Sequence, residues 1–92
     1  MKYYVAILRI KDMKKNNETR DQHVDFVERM VSEKKAFLFG TFTDDTGGMI
    51  VYTAENYEEA ERIASADPYI FKNARDLELH EWIMKTKAVI EW

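Results

Sequence analysis

Residues 36–53 read AFLFGTFTDDTGGMIVYT, two runs of β-forming residues around a polar turn, and the rest of the fold is read outward from them. Ala36 to Phe42 carries Phe37, Phe39 and Phe42, and Met49 to Thr53 carries Ile50, Val51 and Tyr52. Aromatic and β-branched residues at this density favour strands. Between the two runs lies Asp44-Asp45-Thr46-Gly47-Gly48, a stretch supplied with residues that tolerate positive φ, so the spacing predicts a hairpin.

On the N-terminal side the period becomes helical. From Asn17 to Lys35 an apolar stripe of Val24, Val27 and Val31, flanked by Phe26 and Met30, faces away from Arg20, Asp21, Glu28, Arg29 and Glu33. Asn17 or Thr19 is placed to cap its start. Before it, Lys2 to Ile10 (KYYVAILRI) reads as a strand with both faces largely apolar. On the C-terminal side Asn56-Tyr57-Glu58-Glu59 resembles a capping box, and Tyr57, Ala60, Ile63 and Ala64 supply a second helix with its buried side. That helix should end by Asp67, because Pro68 disfavours helical geometry in the residue before it. After a loop, Leu77 to Ile83 alternates as a fourth strand.

The order is βαββαβ, which predicts an α+β, ferredoxin-like fold with a four-stranded antiparallel sheet and both helices on one face. Strands apolar on both sides would leave the other face bare. Two sheets packed face to face, as a homodimer, would cover it; the alternative is a monomer whose C-terminal residues fold back over the sheet. The domain is expected to span residues 1–92, with 84–92 as an extension whose Ala88, Val89, Ile90 and Trp92 dock on protein.

A chain of 92 residues has room for one domain. It holds no cysteine, which rules out disulfides and thiol chemistry and suits a reducing, cytoplasmic setting. The apolar part of the N-terminal run is broken by Arg9 and Lys11 and has no small-residue cleavage site, so neither a membrane span nor a signal peptide is expected. The formal charge is -3, with acidic and basic residues interspersed, which argues against nucleic acid as a partner.

No phosphate loop, zinc motif, nucleophile elbow or dinucleotide fingerprint occurs, so no cofactor and no metal is expected. Only two histidines are present. His23, in the first turns of the first helix, has Phe26, Val27 and Met30 three, four and seven residues on, which puts it beside the buried stripe. A histidine in such a place is more often a hydrogen-bonded core residue than a catalyst. His80, between Leu79 and Glu81 on a strand, reads as a surface or interface residue. Asp67 at the end of the second helix meets an unfavourable dipole and calls for a compensating partner; Arg20 in the first turn of the first helix poses the same problem with the sign reversed.

Arg20-x-x-His23, Gly40, Gly47-Gly48 followed by Met49-Ile50-Val51, Glu59-Ala60 and Asp67-Pro68-Tyr69, in that order, resemble the YciI-like (YCII) family. The resemblance implies a dimeric α+β barrel in which His23 and Asp67 meet in a cleft as an acid–base pair, with Arg20 and Tyr69 at the substrate. Some members are similar to enzymes that eliminate chloride from hydroxylated aromatic rings. Three departures stand out: Thr41 where the family often has Pro, Tyr69 where it often has Phe, and a longer tail. The implied function is a cofactor-independent acid–base enzyme acting on a small molecule. The alternatives are a binding or sensing module using the same cleft without turnover, and a purely structural dimerisation unit.

Overall fold

The computed structural model describes residues 1–87; the expected docking of Ala88, Val89, Ile90 and Trp92 lies outside the described residues. The elements run β1 (Lys2–Ile10), α1 (Met13–Ser32), β2 (Ala36–Thr41), β3 (Gly47–Ala54), α2 (Tyr57–Ser65), α3 (Pro68–Phe71) and β4 (Arg75–Trp82). The strands form one sheet in the order β2-β3-β1-β4, every pair antiparallel. This is the ferredoxin-like arrangement expected from the hairpin and its flanks.

The two central strands set the register. Tyr4, Ala6 and Leu8 lie opposite Tyr52, Ile50 and Gly48, and all of these positions face the helices. Side chains alternate along a strand, so Leu77 and Leu79 of β4 join the same layer opposite Leu8 and Ala6. Phe26, Val27 and Met30 of α1, and Ala60, Ile63 and Ala64 of α2, close over it. Each of the larger aliphatic groups contributes about 1.5–3 kcal/mol by leaving water.

Several boundaries differ from the sequence expectation, each for a local reason. Helix α1 starts at Met13 rather than Asn17, because Asp12 is the cap and its side chain accepts from the Lys15 amide at 3.0 Å. Arg20 and His23 therefore sit in the body of the helix, and the first-turn charge problem raised by Arg20 does not arise. Val24 and Val31, expected in the buried stripe, are 45% and 40% exposed, and buried Asn16 and Thr19 extend the inner face instead. Asn56 caps α2 as anticipated, its side chain accepting from Glu59 at 2.8 Å. The segment expected to be a loop after Asp67 contains the one-turn helix α3.

A bulge between Ala36 and Leu38 sends Phe37 and Leu38 to the face away from the helices. There Phe37 meets the Tyr3 ring edge-on at 5.4 Å between centroids. On that same face β4 places Asp76, Glu78 and His80 before Trp82, so it is apolar over β2, β3 and β1 up to Arg9 and largely polar along β4. Arg9 pairs with Glu78, which also meets His80 Nε2 at 2.7 Å; these contacts hold the Glu78 carboxyl below its ordinary pKa, His80 having the larger effect.

Gly47 has φ +150°, and a Cβ there would lie 1.9 Å from the Leu8 carbonyl oxygen. Gly47→Ala is expected to lower stability by at least about 1–3 kcal/mol, whereas Gly40→Ala, whose Cβ meets nothing within 4 Å, should be near neutral. Urea unfolding of the two variants beside the wild type checks the contrast.

Candidate active site

Pro68 fixes its own φ and holds the preceding residue extended, and Asp67 accordingly has φ -64° and ψ 127°. That geometry makes Asp67 the cap of α3. Its Oδ1 accepts the Tyr69 amide at 2.9 Å, and its carbonyl accepts from Ile70 and Phe71. The carboxylate that looked misplaced at the end of α2 thus stands at the start of the next helix, where negative charge is favourable.

The same Oδ1 lies 2.8 Å from His23 Nδ1. Asp67 is fully buried and the His23 side chain is 18% exposed. Because α3 packs directly on α1, the contact does not need the start of one long helix to reach the end of the other. Lys72 also bonds Gln22, and the Ala74 carbonyl accepts from Lys11 and Asp12 at 3.0 and 3.2 Å, tying the far end of α3 to the turn before α1. A carboxylate can only accept, so Nδ1 is the donor and carries the proton. In the neutral imidazole the lone pair is then on Nε2, which has no hydrogen-bond partner among the described residues.

The imidazole stacks on the Tyr69 ring at 4.1 Å between centroids, with 26° between planes. The Arg75 guanidinium lies over the same ring at 3.9 Å, and Arg75 Nε donates to the Oδ1 of buried Asn16 at 2.7 Å. Burial draws the Arg75 pKa below its ordinary value; the nearby Arg20 charge acts the same way, partly offset by Tyr69 and Asp67. The second oxygen of Asp67, Oδ2, is buried without a hydrogen-bond partner among the described residues, as is the Tyr52 hydroxyl. Burial above all, and the Asp67 charge, push the Tyr52 hydroxyl far above the usual tyrosine range.

His23, Tyr69, Arg20 and Arg75 all line a cavity of about 700 Å³ between α1 and the end of the sheet where β3 and β4 begin. Gly48 occupies a helix-facing position on β3 there, so no side chain fills the space above it. Apolar walls come from Leu8, Ile10, Val24, Val27 and Phe39. Thr41, where the family often has proline, is on the rim. Of the four site residues named from the sequence, His23, Arg20 and Tyr69 line the cavity, and Asp67 stands behind His23 in contact with it. Arg75 and Asn16 are the additions; His80 lies on the opposite face of the sheet. Among the described residues no group of three or more His, Asp or Glu is placed to hold a metal ion, and no helix is long and apolar enough to cross a membrane.

The model of the YCII-related domain matches residues 1–83. The chain belongs to the YCII family. One YCII relative, the uncharacterized protein YjpA of Bacillus subtilis (strain 168), is 36% identical over 83 residues, which is 90% of this chain and 98% of the relative. Among solved structures, this YCII fold is similar to 5-chloro-2-hydroxyhydroquinone dehydrochlorinase (TftG) from Burkholderia phenoliruptrix AC1100 in complex with 2,5-dihydroxybenzoquinone. The TM-score is 0.70 at 17% identity, covering 87% of this chain and 92% of that one. At that identity the likeness is one of fold.

The hydrogen-bond assignment is checked by ¹⁵N NMR of the imidazole. In the wild type the Nδ1–H tautomer of His23 should dominate its neutral form. Asp67→Ala removes the acceptor and should restore the Nε2–H form preferred by a free imidazole. An unchanged tautomer would contradict the assignment.

Proposed function

We propose that this YCII-family protein is a cofactor-independent enzyme that moves a proton on a small molecule, with His23 as acid–base and Asp67 as the residue that orients it. The observation that carries this reading is the 2.8 Å contact of His23 Nδ1 with a fully buried carboxylate, at the wall of a cavity large enough for a small ligand. A proton leaves a C–H or O–H of the substrate for Nε2, and the electron pair left behind is held as an enolate or phenolate. The imidazolium formed shares its Nδ1 proton with Asp67, which stabilises the charge without taking the proton. Return of the proton to another atom completes an isomerisation; loss of a leaving group completes an elimination.

A protein of similar fold is named as a dehydrochlorinase and was solved with 2,5-dihydroxybenzoquinone. On that likeness, ring-hydroxylated and quinoid molecules are the first substrates to assay, by chloride release from 5-chloro-2-hydroxyhydroquinone and by deuterium uptake from D₂O into hydroxyquinones. His23→Ala should lower turnover by about 10²–10⁴-fold. Ligand binding with no turnover of any of these by the wild type would favour the binding-module reading instead.

We also propose that the protein works as a homodimer joined through the sheet face away from the helices. Leu38 and Trp82 are 50% and 40% exposed there, beside half-buried Tyr3, Val5 and Ile7. Sedimentation equilibrium at micromolar concentration should give twice the chain mass, and Leu38→Glu should give the monomer. A wild-type monomer would overturn this assembly.

A further inference from the structure

Two arginines, Arg20 and Arg75, stand at the cavity outside any ion pair among the described residues. The acidic residues that share its wall are Glu28, two helical turns beyond Arg20, and Asp45 on the hairpin turn, and neither is within ion-pair distance of either guanidinium. Asp67, the nearest buried carboxylate, directs its one engaged oxygen to His23 and the Tyr69 amide.

Arg75 is held in a way that suits a binding role. It is half-buried, its Nε is occupied by Asn16, and its plane rests over Tyr69 at 3.9 Å. A guanidinium carries five N–H donors in a rigid fork, so with Nε on Asn16 and one side-chain interaction with Tyr69, donors remain on the terminal nitrogens for an incoming anion. That shape matches a carboxylate. Two like charges gathered in a partly desolvated cavity oppose one another, and an incoming anion relieves both at once. Tyr69 connects this cation to the base, since His23 stacks on the ring that Arg75 covers.

We propose that Arg75, seconded by Arg20, is the anion-binding residue of this cavity, and that its natural ligand is a small planar molecule carrying a carboxylate. This rests on the reading of the cavity as the place where His23 acts, and it narrows the substrate class. Arg75 takes the carboxylate end-on, Arg20 adds charge from the helix side, and the apolar wall of Val24, Val27 and Phe39 receives the rest of the molecule. The bound anion fixes the substrate beside His23, so that the proton removed is set by its distance from the carboxylate.

The test is an NMR and calorimetric titration with benzoate, 2-hydroxybenzoate and 2,5-dihydroxybenzoate, each beside its uncharged amide. Every acid should bind more tightly than its amide and shift the Arg75 Nε–H and the Gly47 and Gly48 amide signals. Arg75→Gln should weaken the acids by about tenfold to a hundredfold, the range for hydrogen bonds to a charged group, and leave the amides unchanged. Arg75→Lys keeps the charge but loses the fork, and should recover only part of the affinity. Should Arg75→Gln fail to fold, Arg20→Gln on the exposed side of α1 gives a second reading, with a smaller loss confined to the acids. Equal affinity for acids and amides at millimolar concentration, or an Arg75→Gln variant that binds the acids as well as the wild type, overturns the proposal. His23→Ala separates it from the acid–base reading, since that variant should lose turnover while still preferring acids to amides.

Discussion

A carboxylate shut away from water costs several kcal/mol unless its oxygens are engaged, and the structure depends on how Asp67 meets that cost. One oxygen accepts both the first free amide of α3 and the Nδ1–H of His23. The first bond starts a helix that is too short to be stable alone. The second ties that helix to α1. Asparagine could accept both bonds at its one oxygen but would lack the charge and bury an NH2 where Oδ2 stands, and glutamate is a methylene too long to cap its own turn. Around this point the Tyr69 ring, the Arg75 guanidinium and the buried Asn16 amide pack in sequence. The fixed orientation of the imidazole is thus a product of helix capping.

The cavity beside this cluster exists because of glycine. Gly48 leaves a gap in the helix-facing layer of β3, and a Cβ there would come 2.5 Å from the Gly40 carbonyl oxygen. The close approach of β2 and β3 at this end of the sheet and the space above it therefore share one cause. Toward the other end Ile50 and Tyr52 fill the same layer and the interior is closed. Open cavity and packed core are divided along a single strand by side-chain size.

Much of this was legible in the sequence. The hairpin signal of Asp44 to Gly48 and the helical periods on either side led to the observed topology, because hydrophobic periodicity records which face of each element is buried. His23, Asp67, Arg20 and Tyr69 were named from the family pattern; His23, Arg20 and Tyr69 line one cavity, and buried Asp67 contacts His23. The failures have physical causes. Helix α3 has four residues, too few for any period to show. The start of α1 was placed late because Asn17 and Thr19 are good caps in themselves, whereas the residue in use is Asp12. That error hid Asn16, which lay outside the expected helix. Arg75 lies in the stretch that the sequence reads as a loop before Leu77, whereas β4 begins at Arg75. The alternation of Leu77 and Leu79, carried back by two positions, points it to the same inward face, opposite Ile10.

The Ala74 carbonyl, which accepts from Lys11 and Asp12, joins positions more than sixty residues apart. Its consequence is one of timing. A chain emerging from the ribosome presents Arg20 and His23 first, but Asp67, Tyr69 and Arg75 follow more than forty residues later. Until then the histidine has no orienting partner and the cavity has no far wall. Non-local contacts of this kind are slow to form, so the assembled cavity arrives with β4, and a product truncated before it carries His23 and Arg20 without the residues that surround them.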